Sequence, residues 1–334
     1  MSFEGESRFN LPFSGIATFL RAPVCSDLAS LDADIAILGI PFDEGTTWKP
    51  GSRMAPRRIR EMAMRFASTG ADRPAGYFDL DERKRYLEHE LSGQRLVDCG
   101  DVDVLYTHPE GTFANATRAV AEILRHGALP VIIGGDHAVS FPVVRAYTEP
   151  LQVVHFDAHI DYSPFVHGIQ FANTQPMRHI AAMPHVRRII QAGIRSLRNA
   201  EEDIDDSQAD GNDVLTVAQV RHLGLDGFLQ RVGPGPTYVS IDIDALDMPF
   251  VPGCSSAEIG GFTYDELREM LFGLARQADV VGFDLVEVNP MVDVASDNTS
   301  LLAAQLMVEF LGRIADSPSY QRRRASRYNS VHDR

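Results

Sequence analysis

The sequence predicts an α/β protein: a parallel sheet covered by helices on both faces. Short apolar runs alternate along the chain with longer segments of helical periodicity, the pattern of strands and crossover helices. The most unusual polar clusters each follow one of those apolar runs, and open α/β sheets bind ligands beyond the carboxyl ends of their strands. No internal repeat and no Pro/Ser linker divides the 334 residues. A single domain, 1–334, is therefore expected, with 1–30 as an N-terminal arm and 318–334 as a frayed, arginine-rich tail.

In chain order, 34–39 (DIAILG) reads as a strand and 55–66 as a helix opened by Pro56. Residues 95–97 begin a strand that ends in a turn over 98–101. Residues 112–126 are helical, with Gly127 in the stop position. A buried strand over 129–133 breaks at Gly134 and Gly135, and further strands follow at 152–156, 186–192, 237–243 and 280–285. Helices fit 137–146, 216–231, 263–277 and 299–315. The polar stretch 199–213 (NAEEDIDDSQADGND) reads as a solvated surface loop.

Composition narrows the function. Lys and Arg number 31 against 46 Asp and Glu, a net charge of −15, which repels phosphate backbones and anionic lipid. Nucleic acid and membranes are thus poor partners, and a small cation a better one. With 44% hydrophobic residues the chain can bury a large core. Cys25, Cys99 and Cys254 are sparse and unpaired in sequence, which fits a reducing cytoplasm. Neither a signal peptide nor a transmembrane run is expected.

Three clusters carry the chemistry. In Gly134-Gly135-Asp136-His137 the glycines let the chain turn so that His137 points back over the sheet edge. In Asp157-Ala158-His159-Ile160-Asp161 alternate residues share one side of an extended segment, placing two carboxylates and an imidazole together. His155 has the same parity but lies deeper in the strand and reads as a satisfied core histidine. Asp242 and Asp244 form a third pair at the end of an apolar strand. Carboxylates crowded on one face need a cation between them. Two imidazoles and four carboxylates exceed the needs of one open catalytic zinc and suit two divalent ions with shared carboxylates and a bridging water. Mixed nitrogen and oxygen ligation favours Mn²⁺, with Ni²⁺, Co²⁺ or Fe²⁺ as alternatives.

Together with PFDEGTTWKPGSRMAPRRIR (41–60), CGD (99–101), GIRS (193–196) and DLVEVNP (284–290), these segments resemble the ureohydrolases, the family of arginase and agmatinase. The resemblance implies a three-layer αβα domain with a central, mainly parallel eight-stranded sheet and a trimeric or hexameric homo-oligomer. It implies one metal on His137 and Asp161, the other on His159 and Asp244, and Asp157 and Asp242 bridging both. Glu287 matches the carboxylate that holds the substrate guanidinium, and Asp161 the group that passes a proton to the leaving amine.

The chain departs from agmatinase-like members in two places. One is Asp247-Met248-Pro249, where the family usually has proline directly after the aspartate, a change expected to reshape the loop over 251–258 beside the substrate entrance. In the other, where many carry a histidine twelve residues beyond Asp161, it has Asn173, which hydrogen-bonds but does not titrate near neutrality. His167, in the nearby Val166-His167-Gly168, is six residues too early and reads either as a replacement that swings into the site or as a surface-loop histidine. The N-terminal FSGIATFLRAP (13–23) resembles agmatinases more than arginases. The expected function is hydrolysis of agmatine or a similar guanidino compound to urea and an amine. Guanidinobutyrate, guanidinopropionate, arginine, free guanidine, alkylated guanidines and biguanides are the alternative substrates. A non-catalytic subunit on the same fold is a poorer reading, because all six ligands and Glu287 are retained.

Overall fold

The computed structural model describes residues 11, 14–67 and 75–332, with side chains described as far as 327. Residues 1–10, 12 and 13 of the expected N-terminal arm lie outside the described residues, as do 333 and 334 of the tail.

The strands are β1 (Ile35–Gly39), β2 (Tyr77–Asp79), β3 (Lys84–Tyr86), β4 (Leu96–Asp101), β5 (Leu129–Ile133), β6 (Leu151–Phe156), β7 (Val186–Ile194), β8 (Asp213–Thr216), β9 (Pro236–Asp242) and β10 (Asp279–Val286). Between them run α1 (Ala55–Ala63), α2 (Glu88–Ser92), α3 (Pro109–Arg125), α4 (Ser140–Val144), α5 (Pro176–Ala181), α6 (Glu201–Ala209), α7 (Val217–Val232), α8 (Tyr264–Gln277), α9 (Asn298–Asp316) and α10 (Pro318–His332). Eight strands form one sheet in the order β4-β1-β5-β10-β9-β6-β7-β8, and every pairing within it is parallel. β2 and β3 make a separate antiparallel hairpin.

Alternation along the strands divides the core between the two faces. On β1, Ile35 and Ile37 join α1, α7, α8 and α9 on one side, while Ala36 and Leu38 join α3, α4 and α5 on the other. Local chemistry sets the helix starts. Thr216 caps α7 and Thr263 caps α8, each in a reciprocal capping box with Gln219 or Glu266.

Register prepares the site. Ile133, Leu285, Ile241 and Phe156 are direct neighbours across β5, β10, β9 and β6. Four adjacent strands therefore end on one row, and the polar clusters read from the sequence begin immediately beyond it.

Three expectations need correction. The stretch over 98–101 continues β4 instead of turning, because Arg60 and the backbone of residues 23–25 pair with it. The polar stretch 199–213 is largely α6 rather than a solvated loop; Ser207 is fully buried and donates to Gln191 Oε1 at 2.8 Å. Residues 318–332 of the tail are helical, not frayed. Arg323 pairs with Asp279, Arg324 with Glu90 at 3.2 Å, and Arg327 with Asp34 at 2.8 Å, which pins α10 to the start of β10, to α2 and to the residue before β1.

Candidate metal and substrate site

The first histidine is placed by the turn after β5. A Cβ at Gly135 would collide with the Phe42 carbonyl, so only glycine lets the chain bend closely enough to return His137 over the sheet edge. His137 is fully buried. Its Nε2 lies 3.0 Å from Ser240 Oγ, and Ser240 donates onward to Asp284 Oδ1 at 2.8 Å. Nε2 is directed at Ser240, so Nδ1 is the nitrogen that faces the centre of the site. Three carboxylate oxygens converge there: Asp157 Oδ2 at 3.0 Å, Asp161 Oδ2 at 3.0 Å and Asp242 Oδ2 at 3.2 Å. None of these contacts has hydrogen-bond geometry, and Nδ1 is a buried orphan.

Beside it lies a second convergence. His159 Nδ1 is 3.0 Å from Asp244 Oδ2 and 3.3 Å from Asp157 Oδ1, and Asp244 Oδ2 is likewise a buried orphan. Asp157 thus turns one oxygen to each imidazole. Its orientation is fixed from behind by a chain that starts on α6. Ser207 donates to Gln191 Oε1, and the Gln191 amide donates to His155 Nδ1 at 3.1 Å. His155 Nε2 then donates to Asp157 Oδ2 at 2.8 Å. Both nitrogens of His155 are occupied, as expected of a core histidine, and the residue has the added task of aiming Asp157.

Groups of ligating atoms within 4.8 Å of one another are His137, His155, Asp157 and Asp161; Asp157, His159 and Asp244; and Asp242, Asp244 and Cys254. The six residues read from the three motifs are therefore one cluster. Cys254 was not anticipated; burial, then Asp244 and Asp242, push its thiol well up, so it stays protonated and adds no charge.

The electrostatics of the cluster favour a bound cation. Burial, then Asp244 and Asp157, drive the Asp242 carboxyl well above the usual range, and burial and Asp157 raise Asp161. Burial opposes charge on His159, but Asp244 and Asp157 outweigh it and raise its pKa to about 12. Protons occupy positions that a divalent ion would fill, since a ligating carboxylate and imidazole must both be deprotonated. Orphaned oxygen and nitrogen atoms converging without hydrogen-bond geometry fit such an ion.

Glu287 approaches from the end of β10 with φ 65°, and Asp161 has φ 48°. Left-handed backbone at non-glycine residues is costly and concentrates at functional sites. Glu287 Oε1 accepts from the His137 backbone N–H at 2.9 Å and from Asn173 Nδ2 at 3.1 Å. Burial pushes its carboxyl up to about 7, against these hydrogen bonds. Asn173 Oδ1 is a buried acceptor without a partner. A cavity of about 200 Å³ is lined by Glu287, Asn173 and members of the acid cluster, and also by Thr47, Arg198 and Asp203.

His167 does not reach this cavity. It lies on an exposed turn where Ile169 N donates to Val166 O at 2.9 Å, and that turn directs residues 165–170 to solvent. The sequence reading missed Ser240, Asp284 and Gln191. Their signal was available, because each is a buried polar residue set between two apolar neighbours in a strand.

Comparison with known proteins agrees with this geometry. The arginase family model matches residues 33–312. The chain is 33% identical to a guanidinobutyrase of Pseudomonas aeruginosa, covering 90% of this chain and 92% of the relative. It is 33% identical to a mitochondrial agmatinase of Gallus gallus, covering 91% and 90%. Proclavaminate amidinohydrolase of Streptomyces clavuligerus superposes with a TM-score of 0.78 at 28% identity, over 91% of this chain and 99% of that one. The chain belongs to the arginase family of metal-dependent amidinohydrolases.

Proposed function

We propose that the whole chain acts as one ureohydrolase domain that hydrolyses a linear guanidino compound, agmatine or a close analogue, to urea and an amine. The observation that carries this reading is the juxtaposition of two acceptor groups, Glu287 and the orphaned Asn173 Oδ1, with the buried acid and imidazole cluster. A guanidinium is planar, cationic and made only of donors, so it complements that acceptor pair.

Two divalent ions are proposed, Mn²⁺ or alternatively Ni²⁺. His137 and Asp161 would hold one, His159 and Asp244 the other, and Asp157 and Asp242 both. When bound, such ions supply the charge that makes hydroxide available near neutral pH. The protein's own share is orientation and proton transfer. Glu287 fixes the guanidinium plane by charge-assisted hydrogen bonds, which holds the carbon at attack distance. Water adds to that carbon, the bond to the alkyl-substituted nitrogen breaks, and Asp161 passes the proton that lets the amine leave. Asn173 binds without shuttling protons. Family membership supports a trimeric or hexameric assembly. Three free cysteines support a cytoplasmic location, and no helix among the described residues is long and apolar enough to cross a membrane.

Urea release from agmatine, guanidino acids, guanidine and alkylguanidines, measured after reloading with Mn²⁺ or Ni²⁺, tests the reading. Urea from at least one compound, reduced more than about a thousandfold by Asp157→Asn, is expected, because a buried bridging carboxylate is lost. Silence across the panel with both ions bound would overturn it.

A further inference from the structure

Resting on that reading, we infer that Asp203 receives the far end of the substrate, and that this end is an ammonium group. Asp203 lies in the first turn of α6 and lines the same cavity as Glu287. The acid cluster and the proposed chemistry do not use it. It is only 8% exposed, yet its neutralisation is thin. Ser163 Oγ donates to it at a long 3.3 Å, and the Arg178 guanidinium stands 3.8 Å away. That guanidinium is committed elsewhere, to Asp206 at 2.8 Å and to the Tyr162 carbonyl at 2.7 Å. A buried carboxylate with such weak partners favours a cation arriving beside it.

The cavity wall also carries a positive candidate, Arg198, which would suit a carboxylate tail instead. Arg198 is already neutralised. Its Nε and Nη2 both contact Glu258 Oε1, at 3.1 and 3.0 Å, and its side chain is half exposed. The unanswered charge on the wall is therefore negative. A cavity of about 200 Å³ accommodates a short linear chain, with a guanidinium on Glu287 and Asn173 and an ammonium on Asp203. The class is a guanidinoalkylamine, not a guanidino acid.

The test compares agmatine, the neutral-tailed pentylguanidine and 4-guanidinobutyrate on wild type and Asp203→Asn. Wild type is expected to favour agmatine over pentylguanidine at least tenfold in kcat/KM. In the variant, agmatine should lose that advantage through KM while pentylguanidine stays within about twofold. Equal losses for both compounds would make Asp203 structural and overturn the assignment. A wild-type preference for 4-guanidinobutyrate would overturn it in favour of Arg198. Silence from all three compounds with both ions bound counts against the proposed hydrolysis and sends that question to the wider panel. Calorimetry of agmatine binding then still decides Asp203: at least tenfold weaker binding by Asp203→Asn upholds the assignment, and equal affinity overturns it.

Discussion

Asp98 at the β4 edge and Asp157 in the middle of the sheet are both buried, 1% and 0% exposed, yet they are neutralised in opposite ways. Around Asp98 the fold supplies its own permanent cation. Arg60, 6% exposed, contacts Asp98 Oδ2 at 2.8 Å and Asp101 at 2.6 Å, and donates to the Gly100 carbonyl at 2.7 Å. The Phe19 and Gly100 N–H groups complete the shell of Asp98. Around Asp157, Asp161, Asp242 and Asp244 no arginine or lysine is paired; their ionic partners among the described residues are His137, His155 and His159. The edge site is a closed structural ion pair. The central site keeps its carboxylates in place by second contacts, such as Asp244 Oδ1 with the Ala158 N–H and Asp242 Oδ1 with the Asp244 N–H, and leaves their other oxygens open to a metal.

The largest expected contrast comes from removing the built-in cation. Arg60→Met should destabilise the fold by about 3–5 kcal/mol, the cost of leaving a buried charge unpaired. Metal content and activity per folded molecule should be unchanged. Denaturant unfolding alongside metal analysis checks both, and loss of metal in this variant would erase the distinction between the regions. A smaller effect is expected at the support of the central site. Ser240→Ala removes the group between His137 Nε2 and Asp284, which should weaken metal binding about 10- to 100-fold with little change in melting temperature of the metal-free protein. An unchanged affinity would show that Ser240 does not orient His137.

The same comparison explains what was legible in the sequence. His137, Asp157, His159, Asp161, Asp242 and Asp244 could be found because period-two alternation in short motifs fixes which side chains share a face. Seven sheet strands could be read from apolar runs. The four residues of β8 are too short a signal, and neither α2 nor the β2–β3 hairpin contains an apolar run. α6 was hidden because its buried face is polar: Asp203 and Ser207 face the site and Gln191, so no apolar period marks it. The α10 arginines suggested fraying because their partners, Asp279, Glu90 and Asp34, are distant in sequence. His167 was offered by a local histidine–glycine pair beside a surface-loop reading, and only loop direction, a tertiary property, decides between them. Asn173 was found by counting from Asp161, although its unpaired Oδ1 appears only once Glu287 has claimed its amide.

Calorimetric titration of the metal-free protein with Mn²⁺ at pH 8 and pH 6 tests the central claim most directly. His159, raised to about 12, and His137, raised well above its ordinary value by Asp157, Asp161 and Asp242 against burial, carry protons that metal must displace. The expected result is two equivalents per chain, bound more weakly at pH 6 because falling pH strengthens the competing proton. Binding of fewer than two equivalents at pH 8, or an affinity indifferent to pH, would contradict the assignment of this cluster as a two-metal site.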